Sequence, residues 1–124
     1  MKTSRARLAA AVLPLAFAAT GLVTAPTATA GETGALACQH PGWSNKDSAT
    51  GRVSGSTAPL REGVNAECSN LRTVVGGDTI YYHCYAVNSA GNTWTHVRVR
   101  SQGADYYGWI YDGNLANGGS TKRC

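Results

Sequence analysis

From residue 51 onward, short β-prone runs alternate with clusters of Gly, Asn, Ser and Asp, roughly every 8 to 14 residues. Small all-β barrels and sandwiches have this look. The pattern predicts strands over 52–57, 78–87, 93–100 and 106–111. In the second run Ile80, Tyr82, Cys84 and Ala86 fall on one face, and Tyr81, His83, Tyr85 and Val87 on the other. A turn at Asn88-Ser89-Ala90-Gly91-Asn92 leads into the third run. There Thr95, Val97 and Val99 face one way, while Trp94, His96, Arg98 and Arg100 face the other, the alternation of a half-exposed sheet. A break at Gln102-Gly103-Ala104-Asp105 precedes the last run, and Asp112-Gly113-Asn114 closes it. No stretch carries a capped 3.6-residue apolar stripe, so helix is a minority expectation.

The first thirty residues have a different pattern. Lys2, Arg5 and Arg7 precede an apolar run over 8–23, and Ala28-Thr29-Ala30 offers small residues at a cleavage position. That order is a secretory signal peptide, removed between Ala30 and Gly31. The run is short for a bilayer span and Pro14 interrupts it, so no membrane association is expected after cleavage. Residues 31–50 lack periodicity and are expected to form an N-terminal arm. Residues 51–124 form the β domain with its C-terminal tail.

Cleavage changes the charge. Three of the eleven basic residues leave with the leader, so eight remain against seven acidic ones and the net charge falls from +4 to +1. A basic footprint for nucleic acid is therefore not expected on the mature domain.

Cys38, Cys68, Cys84 and Cys124 all remain. An even count in a short exported chain implies a disulfide framework, with three possible connectivities. The pairing expected here is Cys68 with Cys84, closing a short loop, and Cys38 with Cys124, tying the ends together. On the chain-entropy model each bridge stabilises by roughly 3–5 kcal/mol. No two cysteines stand in a C-x2-C pair, so a metal is not expected, and neither is another cofactor.

Several segments resemble the bacterial SH3-like domains. They are Gly51-Arg52-Val53, Leu60-Arg61-Glu62-Gly63, Gly77-Asp78-Thr79-Ile80, Trp94-Thr95-His96-Val97-Arg98, and Gly108-Trp109-Ile110 followed by Leu115. The resemblance covers about residues 51–115. It departs at Leu60-Arg61-Glu62-Gly63, which lacks the family's valine and the proline after glycine, and Cys68 with Cys84 resembles a disulfide-bearing secreted branch. It implies a small five-stranded SH3-like barrel and, for many members, binding to peptidoglycan or peptides. The implied groove lies between the variable loop and the loop joining the second and third strands, over an aromatic floor.

Aromatic rings with polar tips suit such recognition. The ligand-binding residues expected are Tyr85, Trp94 and Trp109, with Tyr107 further out; the alternative for each ring is core packing. The expected function is a secreted, non-catalytic module that recognises cell-wall peptide or glycan. A second reading is a secreted interaction or inhibitor protein that presents the loop 60–70. A third is a small hydrolase or ribonuclease using Glu62, His96 and Arg98, although their spacing gives no reason for closeness. Cysteine nucleophiles, a G-x-S-x-G elbow and a phosphate-cradling loop find no support in the sequence. His83 and His96 become cross-strand neighbours if the Asn88–Asn92 turn closes a hairpin, and are read as exposed strand histidines.

Overall fold

The computed structural model describes residues 38–124; the expected signal peptide and the start of the arm lie outside them. Six antiparallel strands form one sheet: β1 (Thr50–Gly51), β2 (Thr57–Arg61), β3 (Asn70–Val75), β4 (Thr79–Val87), β5 (Thr93–Ser101) and β6 (Ala104–Tyr111). Their order is β1-β4-β5-β6-β2-β3, and the sheet is not closed. The only helical element among the described residues is a single 3-10 turn, Asp112–Asn114. The chain is thus all-β, but with six strands where five were expected.

Local chemistry explains the turns. The Asn88 side-chain oxygen accepts from the backbone N–H groups of Ala90 (3.1 Å) and Asn92 (2.9 Å), which fixes the β4–β5 turn. Gln102 and Gly103 both have positive φ, 49° and 81°, between paired residues Ser101 and Ala104. A two-residue hairpin with positive φ at both positions matches the strand twist, so β6 begins two residues earlier than the sequence pattern placed it.

The core lies on one face of this sheet. Leu60, Val74, Ile80, Tyr82, Val97, Val99 and Ile110 are all but inaccessible, with Val53, Ala58 and Leu115 beside them. Residues 52–57, read as the first strand, form no strand of their own: Val53 makes an isolated bridge to Leu115, and Thr57 opens β2. β3 escaped the sequence pattern because it is an outer strand in which only Val74 is buried, so it shows no alternation.

The central hairpin departs from strict alternation at His83. Tyr82 pairs with Val97, but Cys84 already pairs with His96, so His83 is an extra residue, a β-bulge. One inserted residue carries everything after it to the opposite face. Cys84 and Ala86 therefore leave the side of Ile80 and Tyr82 and join His96 and Trp94. This corrects the expected face assignment and the expected disulfides. The bridges are Cys38–Cys68 and Cys84–Cys124. Cys84 points toward the C-terminal segment, where Tyr85 N–H donates to Lys122 (2.7 Å) and Cys124 N–H donates to Tyr85 (2.9 Å). Cys68 sits on the loop facing the arm.

The described part of the arm, residues 38–50, packs on the sheet. Val64 N–H donates to the Gln39 carbonyl, Lys46 N–H to His83, and Tyr82 N–H to Ala49, each at 2.9 Å. Together with the loop 62–69 it covers part of the face that the sequence pattern left half-exposed. A second apolar cluster results: Val64, Trp94 and Trp109, with Ala86 and Cys124 against it.

In the C-terminal segment beyond the 3-10 turn, Gly119 holds φ at 84°, and a Cβ there would collide with Thr95 Oγ1 and the Asp112 carboxylate. Gly119→Ala is expected to destabilise the fold by more than about 1 kcal/mol in urea unfolding, since both backbone and space forbid it.

Candidate functional site

The site-bearing face is built by β5 and β6 in register. Trp94 lies opposite Tyr111, His96 opposite Trp109, Arg98 opposite Tyr107 and Arg100 opposite Asp105. Directly opposed residues share a face, so one surface carries four aromatic rings, a histidine and a charged corner. Arg98 and Arg100 both bond Asp105, at 3.2 and 2.8 Å, which together with the Arg98 guanidinium stacked 4.1 Å over Tyr81 occupies that corner.

Two grooves open on the remainder. The first, about 460 Å³, runs between the loop 62–69 and the 88–92 turn. Trp94 and Tyr111 form its aromatic floor, with ring centroids 5.6 Å apart and planes inclined by 54°. Pro59, Arg61, Asn65, Asn88, Asn92 and Asn114 are among its other lining residues. Asn88 is spent internally: its amide donates to Val64 O (2.9 Å) while its oxygen holds the turn. Asn65 accepts from Glu67 N–H (3.0 Å), and Arg61 donates one guanidinium N–H to Cys68 O (2.8 Å). Among the described residues, the remaining guanidinium donors, the Asn65 amide protons and the side chains of Asn92 and Asn114 have no partner and are open to a ligand. Trp94 Nε1 is buried without a hydrogen-bond partner.

The second groove, about 330 Å³, is lined by Trp43, Leu71, Tyr107 and Trp109 together with His40, Glu62 and His96. Beneath it lies a histidine pair. His83 Nδ1 and His96 Nδ1 are 2.9 Å apart, and Trp43 stacks on both rings at centroid distances of 4.9 and 3.8 Å. The bulge at His83 brings the two rings together. Both are buried, at 6% and 3% exposure, which corrects the expectation of exposed strand histidines. Burial, aided by the neighbouring His83, pushes His96 down to about 3; burial and Arg98 lower His83 as well. With both rings neutral, one Nδ1 donates and the other accepts.

The four expected ligand residues do not converge. Trp94 floors the first groove, Tyr107 and Trp109 line the second, and Tyr85 is clasped by the C-terminal segment and lines neither. Trp94 and Trp109 meet through Val64 in the packed cluster, so each ring serves core and groove together. Tyr111 belonged to the aromatic set but was not singled out, and Arg61 carried no binding signal; Asn92 and Asn114, each beside a Gly, read first as turn signals. Of the acid–base set, Glu62 and His96 share the second groove, but Arg98 is committed to Asp105 and Tyr81, and no hydrogen bond joins Glu62 to His96 among the described residues. No helix among the described residues is long and apolar enough to cross a membrane. No family model, curated protein or solved structure matches the chain.

Proposed function

We propose that the protein is an exported, non-catalytic binding module, a variant of the SH3-like barrel, that takes peptide or glycan of the cell envelope into the groove floored by Trp94 and Tyr111. The observation that supports this reading is the pairing of two inclined aromatic rings with uncommitted amide and guanidinium donors between two loops. Rings give contact area at little entropic cost, and side-chain amides match the donors and acceptors of peptide bonds and sugar hydroxyls. The SH3-like resemblance, which implies a ligand groove between two loops over an aromatic floor, supports the same reading. Two disulfides suit an oxidising compartment outside the cell. The loop 62–69, tied to the arm by Cys38–Cys68, favours a second reading in which the module grips a protein partner, since a clamped loop loses less entropy on binding.

The test is sedimentation of the oxidised protein with purified peptidoglycan. Tyr111 is 38% exposed, so Tyr111→Ala removes a groove ring without emptying the core. The variant is expected to bind about tenfold more weakly, corresponding to a lost contact of about 1.4 kcal/mol. Undiminished pelleting of Tyr111→Ala would move the site elsewhere; a folded parent protein that does not pellet at all would reject the wall ligand and favour a protein partner.

A further inference from the structure

We infer that the Cys38–Cys68 bridge sits inside a zinc site, and that its dithiol form binds Zn²⁺ through Cys38, Cys68, His40 and Glu62. Cys38 Sγ lies 3.4 Å from His40 Nε2 and 3.8 Å from Glu62 Oε1, and these three ligand atoms fall within 4.8 Å of one another. In a tetrahedral site with Zn–S near 2.3 Å and Zn–N or Zn–O near 2.0–2.2 Å, neighbouring ligand atoms stand about 3.5–3.8 Å apart. His40 and Glu62 are therefore already at coordination spacing from Cys38. To close the site the two sulfurs must part, and His40 Nε2 and Glu62 Oε1, within 4.8 Å of each other, must settle at about 3.4 Å.

The surroundings orient the donors. His40 Nδ1 faces the backbone carbonyl of Glu62 at 3.2 Å, so it donates there and leaves the Nε2 lone pair directed toward the sulfur. Zinc-binding histidines are commonly fixed by such a bond from their second nitrogen to a carbonyl. Glu62 N–H donates to Ser69 O (3.1 Å), and the carboxylate accepts from Ser69 N–H (3.5 Å), which ties Glu62 to the residue after Cys68. Gly63 leaves room beside the sulfurs: a Cβ there would stand 2.8 Å from Cys68 Sγ and 3.2 Å from Cys38 Sγ. Among the described residues, no such cluster of donors surrounds the Cys84–Cys124 bridge.

The chemistry balances with a dithiol reductant. The disulfide takes two electrons and two protons, the reductant closes to its own disulfide, and the thiols then lose both protons to solvent as Zn²⁺ binds. The metal would replace the covalent link between arm and loop with a coordinated one, so the tie is kept in either state.

The experiment uses the full chain, reduced by an excess of dithiothreitol, exchanged anaerobically into reductant-free buffer and titrated with Co²⁺ and then Zn²⁺. The expected result is one metal per chain, tetrahedral Co²⁺ absorption, and protection of Cys38 and Cys68 from alkylation while Cys84 and Cys124 react. His40→Ala and Glu62→Gln, both at exposed positions and checked for native fold in the oxidised state, should each lose at least the tenfold to hundredfold in affinity typical of a disturbed zinc shell. Equal alkylation of all four thiols with zinc present, no metal binding, or affinity unchanged in both variants would overturn the assignment.

Discussion

Cys124→Ser is expected to lower the unfolding free energy by about 4 kcal/mol, the largest effect of any single substitution considered. The bridge to Cys84 spans a sequence separation of 40, and the chain-entropy model assigns about 4 kcal/mol to a loop of that length. The bond also holds the 122–124 segment in its short parallel pairing with Tyr85, and Lys46 Nζ donates to the carbonyls of Arg123 (3.3 Å) and Cys124 (3.1 Å). Cys124 packs against the cluster of Val64, Trp94 and Trp109, so its release bares indole surface. Urea unfolding followed by tryptophan emission checks both parts: a lower midpoint, and a red shift already present before the transition. A loss below about 1 kcal/mol with unchanged emission would mean that the segment holds its place without the bond.

Acid is expected to act through two groups of opposite sign, the buried His96 and the half-buried Asp112. His96 is held neutral, its folded value near 3 against an ordinary 6.5, by burial and by His83. Its contribution is complete above about pH 6.5 and is lost as the pH falls toward 3, on the order of 5 kcal/mol in all. A second proton also destroys the Nδ1 pairing on which Trp43 stacks. Asp112 runs the other way. Burial raises it to about 6, against the hydrogen bond from Thr95 Oγ1 (2.6 Å). Its contribution is present below the ordinary 3.8 and is lost as the pH rises through 6. Between pH 6.5 and 4 the two oppose each other, and the parent protein should show a flattened profile. Asp112→Asn keeps an oxygen for Thr95 and removes the buried charge. The variant is expected to be about 2 kcal/mol more stable at pH 8 and to lose that advantage by pH 4. Parallel urea-midpoint profiles for the two proteins across pH 4–8 would refute the assignment of Asp112.

The β4–β5 hairpin was legible because its turn is marked by Asn88, Gly91 and Asn92, and β-prone residues fill both nine-residue strands around it. The all-β class and the presence of disulfides were legible for similar local reasons. The pairing of the cysteines was not. Spacing ranks loops by length, whereas a bridge requires Cα atoms about 5 Å apart with Cβ atoms facing, and the bulge at His83 decides which way Cys84 points. Nothing in Ile80-Tyr81-Tyr82-His83-Cys84 marks an inserted residue, since apolar side chains occupy both faces. The candidate site was half legible. Trp94 stood out as an aromatic on an amphipathic strand, but its partners Tyr111, Arg61 and Asn114 come from β6, β2 and the 3-10 turn, which only tertiary pairing brings together. Trp94 also proved to be core, so its substitution by alanine would test stability before it tested binding.

The bulge at His83 bears as well on how this chain is to be compared with others. A protein that reaches the same sheet with a regular fourth strand would superimpose on 79–82 or on 84–87, but never on both without a one-residue gap. Aligned without that gap on Tyr82, Ala86 would share a column with a core-side residue of the regular strand, although Ala86 faces the opposite side of the sheet. The useful column break for any future alignment of this strand is therefore a single position, His83.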